Sequence, residues 1–193
     1  MLILSLVLAG LLVILDQLLK LYISSNFELC TSVIHRYWTF SIGSFDVFSI
    51  THIRNDGAGW SILGGQTIFL IAFTSVVLVA ILVYMVIKRK KIGTLEYLAL
   101  SLVIGGGIGN LVDRFRMLID SDFTGVVDYI AVDFIDFPVF NFADMCVVVG
   151  GIGLCLIYIW QESKESKAKK LAKEAESNSE ETSSDELPQG DQE

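Results

Sequence analysis

Four long apolar segments dominate the pattern of hydrophobic and polar positions along the chain. They cover about residues 2–23, 68–87, 95–112 and 142–160. Each is close to the roughly 20 residues that a helix needs to cross a bilayer. None has the polar stripe, repeated every 3.6 residues, that is typical of a helix on a water-facing surface. The pattern therefore predicts a membrane all-α protein, a bundle of four transmembrane helices.

A different pattern fills the connection between the first two spans, residues 24–67. Two runs of β-forming residues, 37–42 and 45–50, flank Gly43-Ser44, which is a turn signal. We expect a small, outward-facing β-rich subdomain between helices 1 and 2. Its aromatic side chains suit the interfacial belt at the membrane surface.

Lysine and arginine residues set the expected orientation. Residues 88–91, between spans two and three, are all Lys or Arg, and five lysines follow span four. Because positively charged short loops stay on the cytoplasmic side, we expect both termini to be cytoplasmic. Residues 24–67 and the outer loop 113–141 then face outward.

The end of the chain, residues 161–193, is polar and holds five Lys and ten Asp or Glu. This composition predicts a charged cytoplasmic tail, helical to about Ala175 and disordered beyond it. A solubilising end is the simpler interpretation, and a protein-interaction tail is the other.

Composition excludes several classes of function. The chain is 53% hydrophobic and 19% charged, which is more apolar and less charged than an ordinary soluble domain. Its net charge of −8 argues against a nucleic-acid partner, which would require a basic face. The two His residues have no ligand-spaced partners, and no Ser or Cys lies in a nucleophile pattern with a His base. We therefore expect no metal and no cofactor.

Charged residues within the predicted spans are functional candidates, because each costs about 2.5–3.5 kcal/mol on insertion scales. Asp16 and Lys20 are four residues apart, so that they share a helix face and can pair. The pair could fix the outer end of the helix, or Lys20 could bind an anionic lipid headgroup. Asn55, two residues before Gly57, could cap a turn or donate to a substrate carbonyl.

The same pattern of Asn and Asp closes span three and opens span four. Asn110 and Asp113 are three residues apart, as are Asn141 and Asp144, and Arg114 follows directly. If the two helices are neighbours, the carboxylates can face each other and share a proton. One could then activate a water while the other polarises a carbonyl, as in aspartic proteases. A purely structural pair, in which each Asp caps a helix or binds an Arg, is the other interpretation.

Together these residues resemble the bacterial lipoprotein signal peptidases, or type II signal peptidases. The resemblance spans almost the whole membrane region. In chain order the matching blocks are Asp16-Gln17-x-x-Lys20, Asn55-x-Gly57-Ala58-x-Trp60, Gly106-Gly107-x-Gly109-Asn110-x-x-Asp113-Arg114, Val126-Val127-Asp128-Tyr129-Ile130 and Phe140-Asn141-x-Ala143-Asp144.

The resemblance implies a membrane aspartic endopeptidase that removes signal peptides from diacylglyceryl-modified prolipoproteins, cutting before the lipidated Cys. It implies a monomer in the bacterial cytoplasmic membrane, in contact with lipid, with its site near the outer face. Asp113 and Asp144 are then the expected catalytic pair, and Asp128 organises a loop. The positions expected to support the site or bind substrate are Asp16, Lys20, Asn55, Gly57, Asn110, Arg114 and Asn141.

Two features depart from the family pattern: a longer acidic tail after Ser163, and the stretch Ala131–Val139 with its extra Asp133 and Asp136. Two rival functions follow from the same residues. An intramembrane protease of the prepilin-peptidase or presenilin type would need a Gly-x-Gly-Asp motif, whereas Asn110 follows the glycines here. A non-enzymatic membrane protein, such as a transporter subunit or scaffold, would keep its function when both Asp residues are replaced by Asn. Transport is disfavoured because the polar residues cluster at one face.

Overall fold

The computed structural model describes residues 1–30, 35–57 and 65–185, with side chains as far as residue 169. Residues Ala58 and Trp60 of the predicted motif lie outside the described residues. The elements, in chain order, are α1 (Leu2–Asn26), β1 (Trp38–Ile42), β2 (Phe45–Asn55), α2 (Thr67–Ile87), α3 (Thr94–Ile119), β3 (Val126–Val132) and α4 (Phe142–Asp185).

Each of the four helices is long and apolar enough to cross a membrane, which confirms the predicted fold class. Helix α3 is the central one: 67% of its most apolar stretch is buried, against 17% in each of the others. The outer helices expose large aliphatic side chains such as Leu11, Val76 and Ile152. In a bilayer these side chains face hydrocarbon, so their exposure carries no hydrophobic penalty.

Glycines on α3 allow the other helices to approach it closely. A Cβ atom added to Gly105 would lie 2.8 Å from Leu12 of α1, and one on Gly107 would lie 3.0 Å from Leu78 of α2. A Cβ on Gly106 would overlap the backbone carbonyl of Ala143 in α4. Each of these adjacent glycines thus allows a different helix to pack closely against α3, as small residues do in membrane bundles.

The three strands form one antiparallel sheet in the order β1-β2-β3. The β1–β2 turn is Gly43-Ser44 as predicted, and Gly43 has a φ of 65° that favours glycine. The third strand was not predicted and comes from the connection between α3 and α4. Its register places Asn55 opposite Val126 and Ile53 opposite Asp128. This pairing places Asn55 at the end of the helix bundle where α3 ends and α4 begins.

Two helices extend beyond the boundaries that hydropathy indicates. Helix α3 continues from Val112 to Ile119, so Asp113 and Arg114 are helical and do not lie in a loop. The charged residues lower the hydropathy of this stretch although it is helical. Arg116 in the last turn favours the helix through the helix dipole. Helix α4 continues past Ala175 to Asp185, where Lys, Glu and Ala are strong helix formers.

The chain divides into two units, Met1–Leu154 and Cys155–Glu193. The first holds the sheet, α1 to α3 and the start of α4. A hydrophobic core of α1, α2 and α3 includes Leu78, Met85 and Ile104. The second unit is helical as far as Asp185.

The contact of Gly106 with α4 yields a stability prediction. We expect Gly106→Ala to lower the melting temperature in detergent, because α3 and α4 must separate at an overpacking cost of about 1–3 kcal/mol. The matched control is Gly151→Ala in α4, where an added Cβ meets no atom within 4 Å. The control should keep or raise the melting temperature, since alanine favours helix over glycine. Equal melting temperatures for the two variants would contradict this packing.

Candidate active site

A buried lysine lies at the centre of the polar cluster at the end of the bundle where α3 ends and α4 begins. The Nζ atom of Lys20 is 2.8 Å from Oδ2 of Asp16 and 3.0 Å from Oδ2 of Asp113. It also donates a hydrogen bond of 3.0 Å to Oδ1 of Asn110. Lys20 is 3% exposed, Asp16 1% and Asp113 3%. Burial of these charges is tolerable only because each is paired and hydrogen-bonded.

The two carboxylates in this cluster also connect separate elements. Asp16 on α1 accepts a hydrogen bond of 3.2 Å from the backbone N–H of Ala143, in the first turn of α4. Asp113 on α3 accepts one of 3.2 Å from the backbone N–H of Val127 in β3. Gln17 donates to Asp113 at 3.3 Å and to the carbonyl of Gly109 at 3.1 Å. The cluster therefore joins α1, α3, α4 and β3 at one point.

Asn141 and Asp144 form a reciprocal cap at the start of α4. The backbone N–H of Asp144 donates to Oδ1 of Asn141, and the backbone N–H of Asn141 donates to Oδ2 of Asp144, both at 3.0 Å. This is the capping-box arrangement, in which the N-cap and N3 side chains satisfy each other's backbone. The three-residue offset in the sequence is explained by this cap, which fixes the Asp144 carboxylate at the helix end.

Two asparagines link the lysine cluster to two further carboxylates. Asn110 accepts from Lys20 through Oδ1 and donates through Nδ2 to Oδ1 of Asp144 at 2.7 Å. The Nδ2 group of Asn141 donates to Asn110 at 3.0 Å and to Oδ1 of Asp128 at 2.6 Å. Asp144 and Asp128 thus each receive an amide hydrogen bond from the same connected network.

Asp128 is a buried carboxylate on β3, only 2% exposed. Besides Asn141, it accepts a hydrogen bond of 2.8 Å from Nδ2 of Asn55 on the neighbouring strand. The side chain of Asn55 is in turn held by the backbone N–H of Gly57 at 3.0 Å. Burial, and then the charge of nearby Asp144, raise the pKa of Asp128 to about 7 against the opposing effect of the two amide donors.

A cavity of about 510 Å³ opens onto Asp128 and Asp144. Arg114, which donates to the carbonyl of Gly57 at 3.3 Å, lies in the same wall. The remaining polar lining is Asn55, Gly57 and Asn110. The other lining residues are apolar, namely Val126, Phe137, Pro138, Val139, Phe140, Met145, Val148 and Val149.

The residues predicted from the sequence divide between the cavity wall and the cluster beside it. Asp144, Asn55, Gly57, Asn110 and Arg114 line the cavity. Asn141 is fully buried and contacts Asp128 and Asp144 from behind. The Asp16 and Asp113 side chains both pair with Lys20, and none of the three is part of the cavity lining.

Two residues have a larger place in the site than the sequence indicated. Asp128 lines the cavity, although its block was interpreted as loop organisation. The sequence does contain one indication of this role: Asp128 is the single acidic residue in the otherwise apolar stretch Val126–Ile130, where burying a charge is unfavourable. In the sequence, Gln17 is marked only by its place beside Asp16. In the structure its hydrogen bonds to Asp16, Gly109 and Asp113 connect α1 with α3.

The chemistry open to this site is that of carboxylates and amides. Within residues 1–30, 35–57 and 65–169, no three His, Cys, Asp or Glu side chains are grouped so that they could hold a metal ion. The cavity wall offers two carboxylates, two asparagine amides and one guanidinium. Such groups can exchange protons with a water and stabilise a carbonyl oxygen.

Comparison with known proteins identifies the family. A sequence model described as Signal peptidase (SPase) II matches residues 8–160. The lipoprotein signal peptidase of Lactococcus lactis subsp. cremoris (strain MG1363) is 36% identical over 165 residues, 85% of this chain and 97% of the relative. That of Halothermothrix orenii is 37% identical over 79% of this chain and 92% of the relative.

A solved structure described as a bacterial membrane enzyme matches the fold with a TM-score of 0.67. It is 31% identical in sequence and covers 83% of this chain and 90% of its own. The family match, the relatives and the fold agree with one another. The chain belongs to the signal peptidase II family.

Proposed function

We propose that this membrane protease cuts diacylglyceryl-modified prolipoproteins before the lipidated Cys, with Asp128 and Asp144 as its catalytic pair. Membership of the family already makes it a peptidase that removes signal peptides from lipoproteins. The observation that carries the finer proposal is that both carboxylates line one largely apolar cavity. A catalytic acid or base must be able to reach the substrate and the attacking water.

This pair differs from the pair expected from the sequence, Asp113 and Asp144. Asp113 is ion-paired with Lys20, whereas the hydrogen bonds that Asp128 and Asp144 accept come from neutral amide groups. Asp113 also does not line the cavity. We therefore assign Asp113 a positioning role, since it joins α3 to β3 on one side and to Lys20 on the other.

The proposed mechanism is attack by a water without a covalent enzyme intermediate. Asp144 takes a proton from the water while the water oxygen bonds to the scissile carbonyl carbon. Protonated Asp128, whose pKa is raised to about 7, donates a hydrogen bond to the carbonyl oxygen. The tetrahedral intermediate then collapses as the C–N bond breaks, and a proton held by the pair passes to the leaving amine. Asn110 and Asn141 hold the two carboxylates in place throughout.

The lining of the cavity suits a lipid-bearing substrate. Met145, Val148 and Val149 belong both to the cavity wall and to the exposed face of α4. The diacylglyceryl chains can therefore remain in the bilayer while the peptide enters. We place this site near the outer face of the bacterial cytoplasmic membrane, because residues 88–91 at the opposite end are all basic. We propose that both termini are cytoplasmic and that the protein acts as a monomer.

The choice of pair is tested by three matched substitutions. We expect Asp128→Asn and Asp144→Asn each to reduce kcat by about 10²- to 10⁴-fold, the range for loss of a general acid or base. Asp113→Asn should cause a smaller loss of kcat but lower the melting temperature, because it weakens a buried ion pair. Cleavage of a diacylglyceryl-modified prolipoprotein in detergent, followed by mass spectrometry, measures the product.

Folding of each variant is checked by its melting temperature before rates are compared. Loss of cleavage in Asp113→Asn together with full cleavage in Asp128→Asn would return the pair to Asp113 and Asp144. Cleavage by all three variants at the wild-type rate would contradict the aspartic mechanism.

The pH dependence of cleavage provides a second prediction. We expect kcat/KM to fall as the pH rises above about 7, because Asp128 then loses the proton that the pair requires. Asn55 donates a hydrogen bond to Asp128, which favours the ionised form. Asn55→Ala should therefore raise the pKa of Asp128 and move the alkaline fall to higher pH. An alkaline fall at the same pH in both proteins would contradict this assignment.

A further inference from the structure

The stretch that departs from the family pattern lies beside the proposed active site. We call residues 133–139 the wall segment. It leaves β3 after Val132 and rejoins the sheet at Phe140, which exchanges two backbone hydrogen bonds with Ile130, of 2.8 and 3.0 Å. Both ends of the segment are therefore attached to the same strand.

Asp133 anchors the start of this segment to β2 and to Arg36. Its backbone N–H donates to the carbonyl of Val47 at 3.1 Å. One of its carboxylate oxygens accepts a hydrogen bond from Ser49, and the other lies 2.7 Å from Nε of Arg36. The Asp133 side chain is 4% exposed although that of Arg36 is 56% exposed. A carboxylate buried in this way holds its position because leaving these partners is costly.

The wall segment lines two cavities. Phe137 and Val139 line the 510 Å³ cavity that contains Asp128 and Asp144. The same two residues line a second cavity of about 400 Å³, which Arg36 and Asp133 also line. The two cavities thus adjoin at Phe137 and Val139.

Aromatic contacts support the segment at two points. The ring of Phe134 lies 5.7 Å from that of Phe45 at the β1–β2 turn. The ring of Phe137 meets that of Phe140 edge to face at 5.8 Å. Phe137 itself remains 43% exposed, so packing alone does not enclose it. The polar anchor at Asp133 and the backbone pairing at Phe140 hold the two ends of the segment that carries it.

We propose that Asp133 is a positioning residue that determines specificity, because it holds Phe137 as the wall of the peptide site. This inference rests on the proposed function. With the anchor in place, the wall limits the apolar substrate side chain that fits beside Asp128 and Asp144. Without it, the segment can move into the second cavity and the site enlarges. Asp133 takes no part in proton transfer, so its removal should act on binding and selectivity.

The test compares Asp133→Ala with a matched control. Asp136→Ala removes an acidic side chain from the same segment, and Asp136 is exposed and has no hydrogen bond or ion pair with a described residue. The substrates are two diacylglyceryl-modified prolipoprotein peptides that differ only in one apolar residue, small or large, before the cleaved bond. We expect Asp133→Ala to raise KM for the small-residue peptide several-fold and leave kcat within about twofold. Its preference for the small residue should fall, and the control should match wild type.

A second variant tests the route through Phe137. Phe137→Ala removes the wall directly and should relax the same preference. If Asp133 acts through Phe137, the double variant should relax it little further than either single variant, which is non-additive behaviour. Additive effects, an unchanged preference in Asp133→Ala, or an equal loss of kcat for both peptides would each overturn the proposal.

Failure of this proposal is distinguishable from failure of the proposed function. If wild type cleaves both peptides and Asp128→Asn does not, the function stands whatever Asp133→Ala does. If wild type cleaves neither peptide, the proposed function fails and this proposal falls with it. Melting temperatures of all variants show whether a change in KM accompanies an intact fold.

Discussion

The structure depends on neutralising one buried lysine within a membrane bundle. Lys20 is buried, and a lone ammonium in such a place would be prohibitively costly. Its partners come from α1 and α3, and these bond in turn to the start of α4 and to β3. Four elements must therefore meet at one point for the charge to be satisfied. This requirement fixes the depth at which the proposed catalytic groups lie.

Such a meeting point requires helices that approach each other more closely than large side chains allow. On α3, the glycines next to the polar cluster provide this. A Cβ on Gly109 would lie 2.6 Å from Oδ2 of Asp16, so the carboxylate occupies space that only glycine leaves. Membrane helices gain no hydrophobic energy from association, and close packing and polar contacts must hold them together. The glycine pattern and the ion pairs are therefore two parts of one constraint.

The sequence predicts what depends on local pattern and misses what depends on distant pairing. Hydropathy locates four spans, and Gly43 locates the hairpin turn. Of the residues in the Asn and Asp offsets, Asn110 and Asp144 line the cavity. The third strand was missed because β3 pairs with β2 across more than 70 residues, and no local signal encodes that register. Asp128 was undervalued for the same reason: its partners Asn55 and Asn141 become neighbours only in the folded chain.

The buried ion cluster also orients the amides that donate hydrogen bonds to the proposed catalytic pair. An ammonium can only donate, so Lys20 requires the oxygen of the Asn110 side chain to face it. The amide nitrogen of Asn110 must then face Asp144. The nitrogen of Asn141 likewise donates to Asn110 and to Asp128, while its oxygen accepts from the backbone of α4. Neither asparagine can flip without placing donor against donor. A fixed positive charge thus orients the amides so that both carboxylates receive hydrogen bonds at the wall of the cavity.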